Sequence, residues 1–156
     1  MNLDFVIVEG ALLFALLGIA LFLLKPRYVL FGLKALAILI IARSAFITLT
    51  HLGVYPGQIP FDTGDFSYGI YRFLDFRGDL FFSGHTSFPF LMALIFWREK
   101  KWRYVFLGIT VLFGASVLLA HIHYSIDVFA APFIVHSIFM ISQKLFRRDY
   151  ALIIKP

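Results

Sequence analysis

A chain of 156 residues that is 61% hydrophobic, with a mean hydropathy of +0.89, carries more apolar surface than a soluble core can bury. Its formal net charge of +5 argues little for nucleic acid, because the basic residues stand between apolar runs and form no aromatic-interleaved patch. The absence of cysteine excludes a disulfide framework, a thiolate nucleophile and a thiolate metal site.

The length allows one domain over residues 1–156. A membrane span needs about 20 mostly apolar residues to cross roughly 30 Å of hydrocarbon, and the chain offers five candidates. The first runs from about Phe5 to Leu24 and ends at Lys25-Pro26-Arg27, where proline breaks the helix and two cations prefer water. It follows Asn2 and Asp4 without a positive leader, so it reads as a retained helix. The second runs from about Tyr28 to Leu52 and carries Lys34 and Arg43. Residues 53–82, with four aspartates, two arginines and many aromatics, are too long for an idle connection. Their segment 66–76 reads as a stretch lying in the membrane interface. The third span, about Ser83 to Trp97, is short enough that its start falls below the membrane surface, where protein or a wet cavity must shelter it. The fourth is about Trp102 to His121 and the fifth about Ser125 to Phe146, with a kink expected at Pro132 and a buried His136. The fold expected is all-α, a polytopic helix bundle with a re-entrant or interfacial loop on one side.

The turns after the first and third spans and the C-terminal tail hold ten of the fourteen basic residues; the opposite side has Arg72 and Arg77. The positive-inside rule then places the C-terminus in the cytoplasm and the N-terminus outside, in a periplasmic, extracellular or luminal space. His51, Asp79, His85, His121, His123 and Asp127 all fall on that outer side.

Ionisable residues at membrane depth are costly and point to function. Ser83-Gly84-His85-Thr86 stands where a connection becomes a helix, and a helix start presents unpaired N–H groups and the positive end of a dipole to an anion such as phosphate. Read by themselves these four residues fit a Ser/Thr cap beside a buried histidine better. His123 and Asp127, four apart, would stack on one helix face. The carboxylate can fix one ring nitrogen as donor and leave the other as nucleophile or base, or the two can form a structural hydrogen bond. His121, two residues from His123, would face away as a structural or supporting residue. Arg43 lies too deep to reach the cytoplasm, and its planar fork suits phosphate oxygens or an ion pair with Asp127 or Asp79. Lys34 and Glu9 lie near span ends, where they can snorkel. Five histidines raise a metal or haem site, but no carboxylate–histidine ligand motif is present, and none is expected.

In this order, GDLFFSGHT at 78–86 and LLAHIHYSID with Val128 at 118–128 resemble the type-2 phosphatidic acid phosphatase superfamily, and within it the sphingomyelin synthase branch. ARSAFITLTHLGVYPG at 42–57 is similar to that branch's arginine-to-threonine motif, with Arg43 and Thr50 seven apart and Gly53 in place of a proline. Other departures are Val117 where the wider superfamily has arginine, Arg77 where the synthases carry cysteine, and no recognisable lysine motif around Lys34. The synthases have six spans against five read here. Headgroup and acceptor therefore do not transfer.

The resemblance implies a metal- and cofactor-independent reaction on a lipid phosphoester at the outer leaflet. His123 would be the nucleophile, Asp127 its orienting carboxylate and His85 the general acid and base. Arg43, Ser83, Gly84 and Thr86 would hold the phosphoryl oxygens, with Asp79, Tyr124 and Thr50 in support. A lipid-hydroxyl acceptor, diacylglycerol or ceramide, makes a phosphotransferase; water makes a lipid phosphatase or phospholipase C-like hydrolase. A membrane lipid-binding protein without turnover is the reading of another class.

Overall fold

The computed structural model describes residues 3, 5–50 and 81–154. The interfacial stretch expected at 66–76, with Asp79 and His51, lies outside them, as does the expected re-entrant or interfacial loop. Among the described residues there is no strand. A π-helical turn, Phe5–Glu9, runs into α1, Gly10–Leu24; a 3-10 turn, Pro26–Tyr28, leads into α2, Val29–Thr50. Then follow α3, Gly84–Ile95; α4, Lys100–Leu119; α5, Ser125–Leu145; and α6, Arg147–Ile154. Four segments are long and apolar enough to cross a membrane: Phe5–Leu24, Pro26–Thr50, Lys100–Leu119 and Ser125–Leu145.

The short helix is the centre. α3 has 12 residues, about 18 Å at 1.5 Å per residue, well short of a hydrocarbon layer of roughly 30 Å. Leu91, Met92, Ala93, Leu94 and Ile95 are buried in succession, which covers every side of the helix. It packs on α4 most extensively and then on α5, with α2 and α1 closing round it. The outer helices turn Leu16, Ile41, Val111 and Phe133 outward, and lipid is the solvent that tolerates such a belt. Pro89 inside α3 has no N–H to give the carbonyl of His85 four residues earlier, so the ladder lacks one bond in the turn that carries that histidine.

The basic end is closed by side chains. Glu99, between α3 and α4, accepts from Lys25 Nζ at 2.7 Å, Arg27 Nη2 at 2.9 Å and Tyr28 Oη at 3.3 Å, tying the first turn to the third. The amphipathic α6 folds back beneath the bundle. Its Tyr150 packs on Phe31 and Phe139, Asp149 pairs with Lys34 at 2.6 Å, and Arg98 donates to the Ile154 carbonyl at 2.8 Å. Lys34, expected to snorkel from near the span end, is partly exposed there and pairs with Asp149.

The hydrogen bond from Lys25, above all, holds the Glu99 carboxyl below the usual range, with burial opposing it and Arg27 adding to it. A folded-state pKa that is depressed gives stability above the unfolded pKa, lost as pH falls through the folded value. Glu99→Gln should therefore lower the thermal midpoint in detergent by about 2 °C at neutral pH. Scanning calorimetry should show that gap closing only in acid below the ordinary carboxylate range, as wild-type Glu99 itself takes up a proton.

Candidate active site

Two helix starts and one helix interior converge at the other end of the bundle. α4 ends in a Schellman motif: the Ile122 N–H bonds the Val117 carbonyl at 3.0 Å and the His121 N–H bonds that of Leu118 at 3.1 Å. His121 takes the left-handed position, φ 53°, usually given to glycine or asparagine, and Ile122 packs back on the Val117 cluster as the motif requires. The reversal delivers His123 directly ahead of α5, with its own N–H 3.4 Å from the Val117 carbonyl. His123 is therefore not on a helix, contrary to the stacked-face expectation, and His121 is an exposed turn residue with no helical face to turn away.

The pairing survives by another route. Asp127, in the first turn of α5, accepts the Tyr124 N–H on Oδ2 at 2.9 Å and donates its own N–H to the Tyr124 carbonyl at 3.0 Å. That cap holds the carboxylate 3.6 Å from His123 Nδ1, an ion-pair distance slightly longer than a hydrogen bond. With Nδ1 turned to the carboxylate, Nε2 is the nitrogen left for chemistry. Asp127 is fully buried, and among the described residues its Oδ1 has no hydrogen-bond partner.

Ser83 is the N-cap of α3, but its hydroxyl makes no capping bond; it accepts from Thr86 Oγ1 at 3.4 Å. The Ser83 N–H donates to the Asp127 carbonyl at 3.2 Å, so the starts of α3 and α5 are joined backbone to backbone. On α4, Gly114 admits both: a methyl there would meet Val128 Cγ1 at 3.2 Å and Thr86 Oγ1 at 3.5 Å. The half-buried His85 ring lies 6.4 Å from that of His123, centroid to centroid, beside Phe113 at 6.0 Å, and hydrogen-bonds the Ile7 backbone.

Arg43 reaches this point from inside α2, seven residues or about 10 Å below its end. It is 6% exposed, and its guanidinium lies between Phe82 and Phe88, at 5.8 and 5.6 Å from the ring centroids. It rests against the backbone of Gly84, so closely that a Cβ there would fall onto Nη1 and within 2.9 Å of Cζ. Only glycine permits this contact. The fork and the uncapped amides of the α3 start are thus presented side by side.

The structure therefore brings together Arg43, Ser83, Gly84, His85, Thr86, His123 and Asp127. Tyr124 supplies the cap. Thr50 ends α2 two turns from Arg43, exposed, with its hydroxyl donating to the Phe46 carbonyl at 2.9 Å. Asp79 lies outside the described residues. The aromatic flanks of Arg43 and the contact with Phe113 had no signal in the sequence, since twenty phenylalanines are spread along the chain.

Four segments long and apolar enough to cross a membrane, packed round a short buried helix, have the build of a multi-pass membrane protein. Residues 78–144 match the family model described as PAP2 superfamily C-terminal, which supports the type-2 phosphatidic acid phosphatase superfamily and, in general terms, a lipid phosphatase or phosphotransferase. Neither the curated proteins nor the solved structures gave a match.

Proposed function

We propose that the protein is a metal-independent lipid phosphotransferase of the sphingomyelin synthase kind, working through a phosphohistidine on the outer side of its membrane. The observation that carries this reading is the backbone bond from Ser83 to Asp127, which holds the His85 and His123 rings 6.4 Å apart beside the Arg43 fork. Rings this close can face one phosphoester together, one toward phosphorus and the other toward the departing oxygen. His123 Nε2 attacks phosphorus while the bond to the departing lipid oxygen breaks, and His85 gives that oxygen a proton. Asp127 fixes the ring and balances the cation formed. In the second step His85 removes the proton of an acceptor hydroxyl, whose oxygen forms a new bond to phosphorus as the N–P bond breaks. Arg43 and the α3 amides face the phosphoryl oxygens throughout, where charge stabilisation does most of the work.

Water in place of the lipid hydroxyl gives a phosphatase or phospholipase C-like hydrolase, and the match to a phosphatase superfamily favours this second reading. The positive-inside rule applied to the basic turns supports a cytoplasmic C-terminus and an outward-facing site on either reading.

Purified protein supplied with a mixed phospholipid pool, with and without diacylglycerol and ceramide, should yield new phospholipids only when the acceptor is present, followed by mass spectrometry. Free phosphate or phosphorylated headgroup without acceptor would assign the hydrolase. Turnover of neither kind would leave a lipid-binding protein.

A further inference from the structure

α5 carries a polar side chain outward at mid-depth. His136 is the twelfth of its 21 residues, so at about 1.5 Å per residue it sits near the middle of the hydrocarbon layer. The helix buries Val128, Ala131, Val135 and Ile138, and one step past Val135 turns His136 through about 100° to the exposed side. A buried His136 was the expectation from sequence; the structure corrects it. Among the described residues it has no hydrogen-bond or ion partner. Its exposed neighbour Ser137 spends its hydroxyl on the Phe133 carbonyl of the same helix, at 3.0 Å. Lipid tails offer an imidazole neither donor nor acceptor, and ionisable side chains at this depth otherwise face protein.

We propose that this face of α5 docks on the same face of a second copy of the chain, with the two His136 side chains hydrogen-bonded across a two-fold interface. A neutral imidazole is complementary to itself, since one ring donates and the other accepts, and no charge need enter the membrane. The flanking positions suit the contact. Phe133 is 77% exposed and Met140 43%, one turn to either side, giving one rigid and one adaptable apolar surface. Gln143, seven residues on and half-buried, adds an amide to the same stripe.

The chain has no cysteine, so single cysteines report proximity without background. Phe133→Cys, Ser137→Cys and Met140→Cys keep His136, and Val111→Cys places a control at similar depth on the lipid face of α4. After reconstitution into phosphatidylcholine vesicles and mild oxidation, the fastest α5 cysteine should form disulfide-linked dimer at least about tenfold faster than Val111→Cys. Adding His136→Leu should remove that advantage, while His136→Gln, which keeps a donor and an acceptor, should retain most of it. Equal rates on α4 and α5 would overturn the proposal, as lipid or another protein would then cover the face. So would an α5 rate that His136→Leu leaves unchanged. Neither readout depends on catalysis.

Discussion

Replacing His123 by alanine or glutamine should lower turnover by about a thousandfold or more, because on the proposed mechanism each removes the ring that attacks phosphorus beside Asp127, 3.6 Å away. The glutamine variant is the sharper of the two. It leaves a polar group beside a carboxylate that is fully buried and has one oxygen without a partner among the described residues, so its thermal midpoint should stay near that of the wild type while activity is lost. A quenched reaction of the wild type should show the protein heavier by the transferred group, through an adduct labile to acid and stable to base. Neither His123 variant should form it. His85→Gln should slow both formation and breakdown, since one ring serves as acid and then as base. Wild-type rates in His123→Gln would end the phosphohistidine mechanism, and an adduct that persists in that variant would move the nucleophile elsewhere.

Gly84→Ala should cost about a hundredfold in kcat/KM, comparable to losing one donor from a preorganised anion site. A methyl at this position overlaps the Arg43 guanidinium and would push the fork off the α3 start. Helix propensity acts the other way, because alanine in a helix is favoured over glycine, so thermal stability should fall little. Coupling makes the test specific. If Gly84 matters only as the seat of Arg43, then Arg43→Ala should abolish most of the effect of Gly84→Ala, and the double variant should be little worse than Arg43→Ala alone. Losses that multiply would mean that the two positions act independently. Arg43→Lys should also fail to restore rate, since an ammonium lacks the planar fork that lies between Phe82 and Phe88.

Much of this was legible in the sequence, for reasons that differ from place to place. The long spans announce themselves because an apolar run ends where cations and proline gather, as at Lys25-Pro26-Arg27; the bounds of the fourth and fifth fell within two residues of the helices observed, and those of the first agree once the π-helical turn before α1 is counted with it. The shortness of the third span was legible too, since the apolar run from Ser83 to Trp97 is brief and the helix observed is Gly84–Ile95. Geometry carried by turns was not legible. No glycine or asparagine at position 121 advertises the Schellman motif that throws His123 out of the helix, so the four-residue spacing to Asp127 suggested a stacked pair where a capped carboxylate stands. α6 was missed because Arg147, Arg148 and Asp149 read as a charged tail; its amphipathic face appears only once Tyr150 meets Phe31. His136 was misplaced although a pattern was available. Val128, Ala131, Val135 and Ile138 already follow the three-four alternation of a buried stripe, which skips position 136.

The brevity of α3 gives the protein two different relations to the thickness of its membrane. The surrounding spans, 20 to 25 residues long, meet lipid along their length and must tilt when the bilayer thins or thickens. α3 meets almost none, being enclosed by its neighbours and hung from α5 by the Ser83 amide. Hydrophobic mismatch is therefore absorbed by the outer wall while the spacing of the two histidines stays fixed. On the proposed function, what changes from one membrane to another is the vertical distance that a headgroup must descend to reach the histidines, which the short α3 and the thickness of the host bilayer set together.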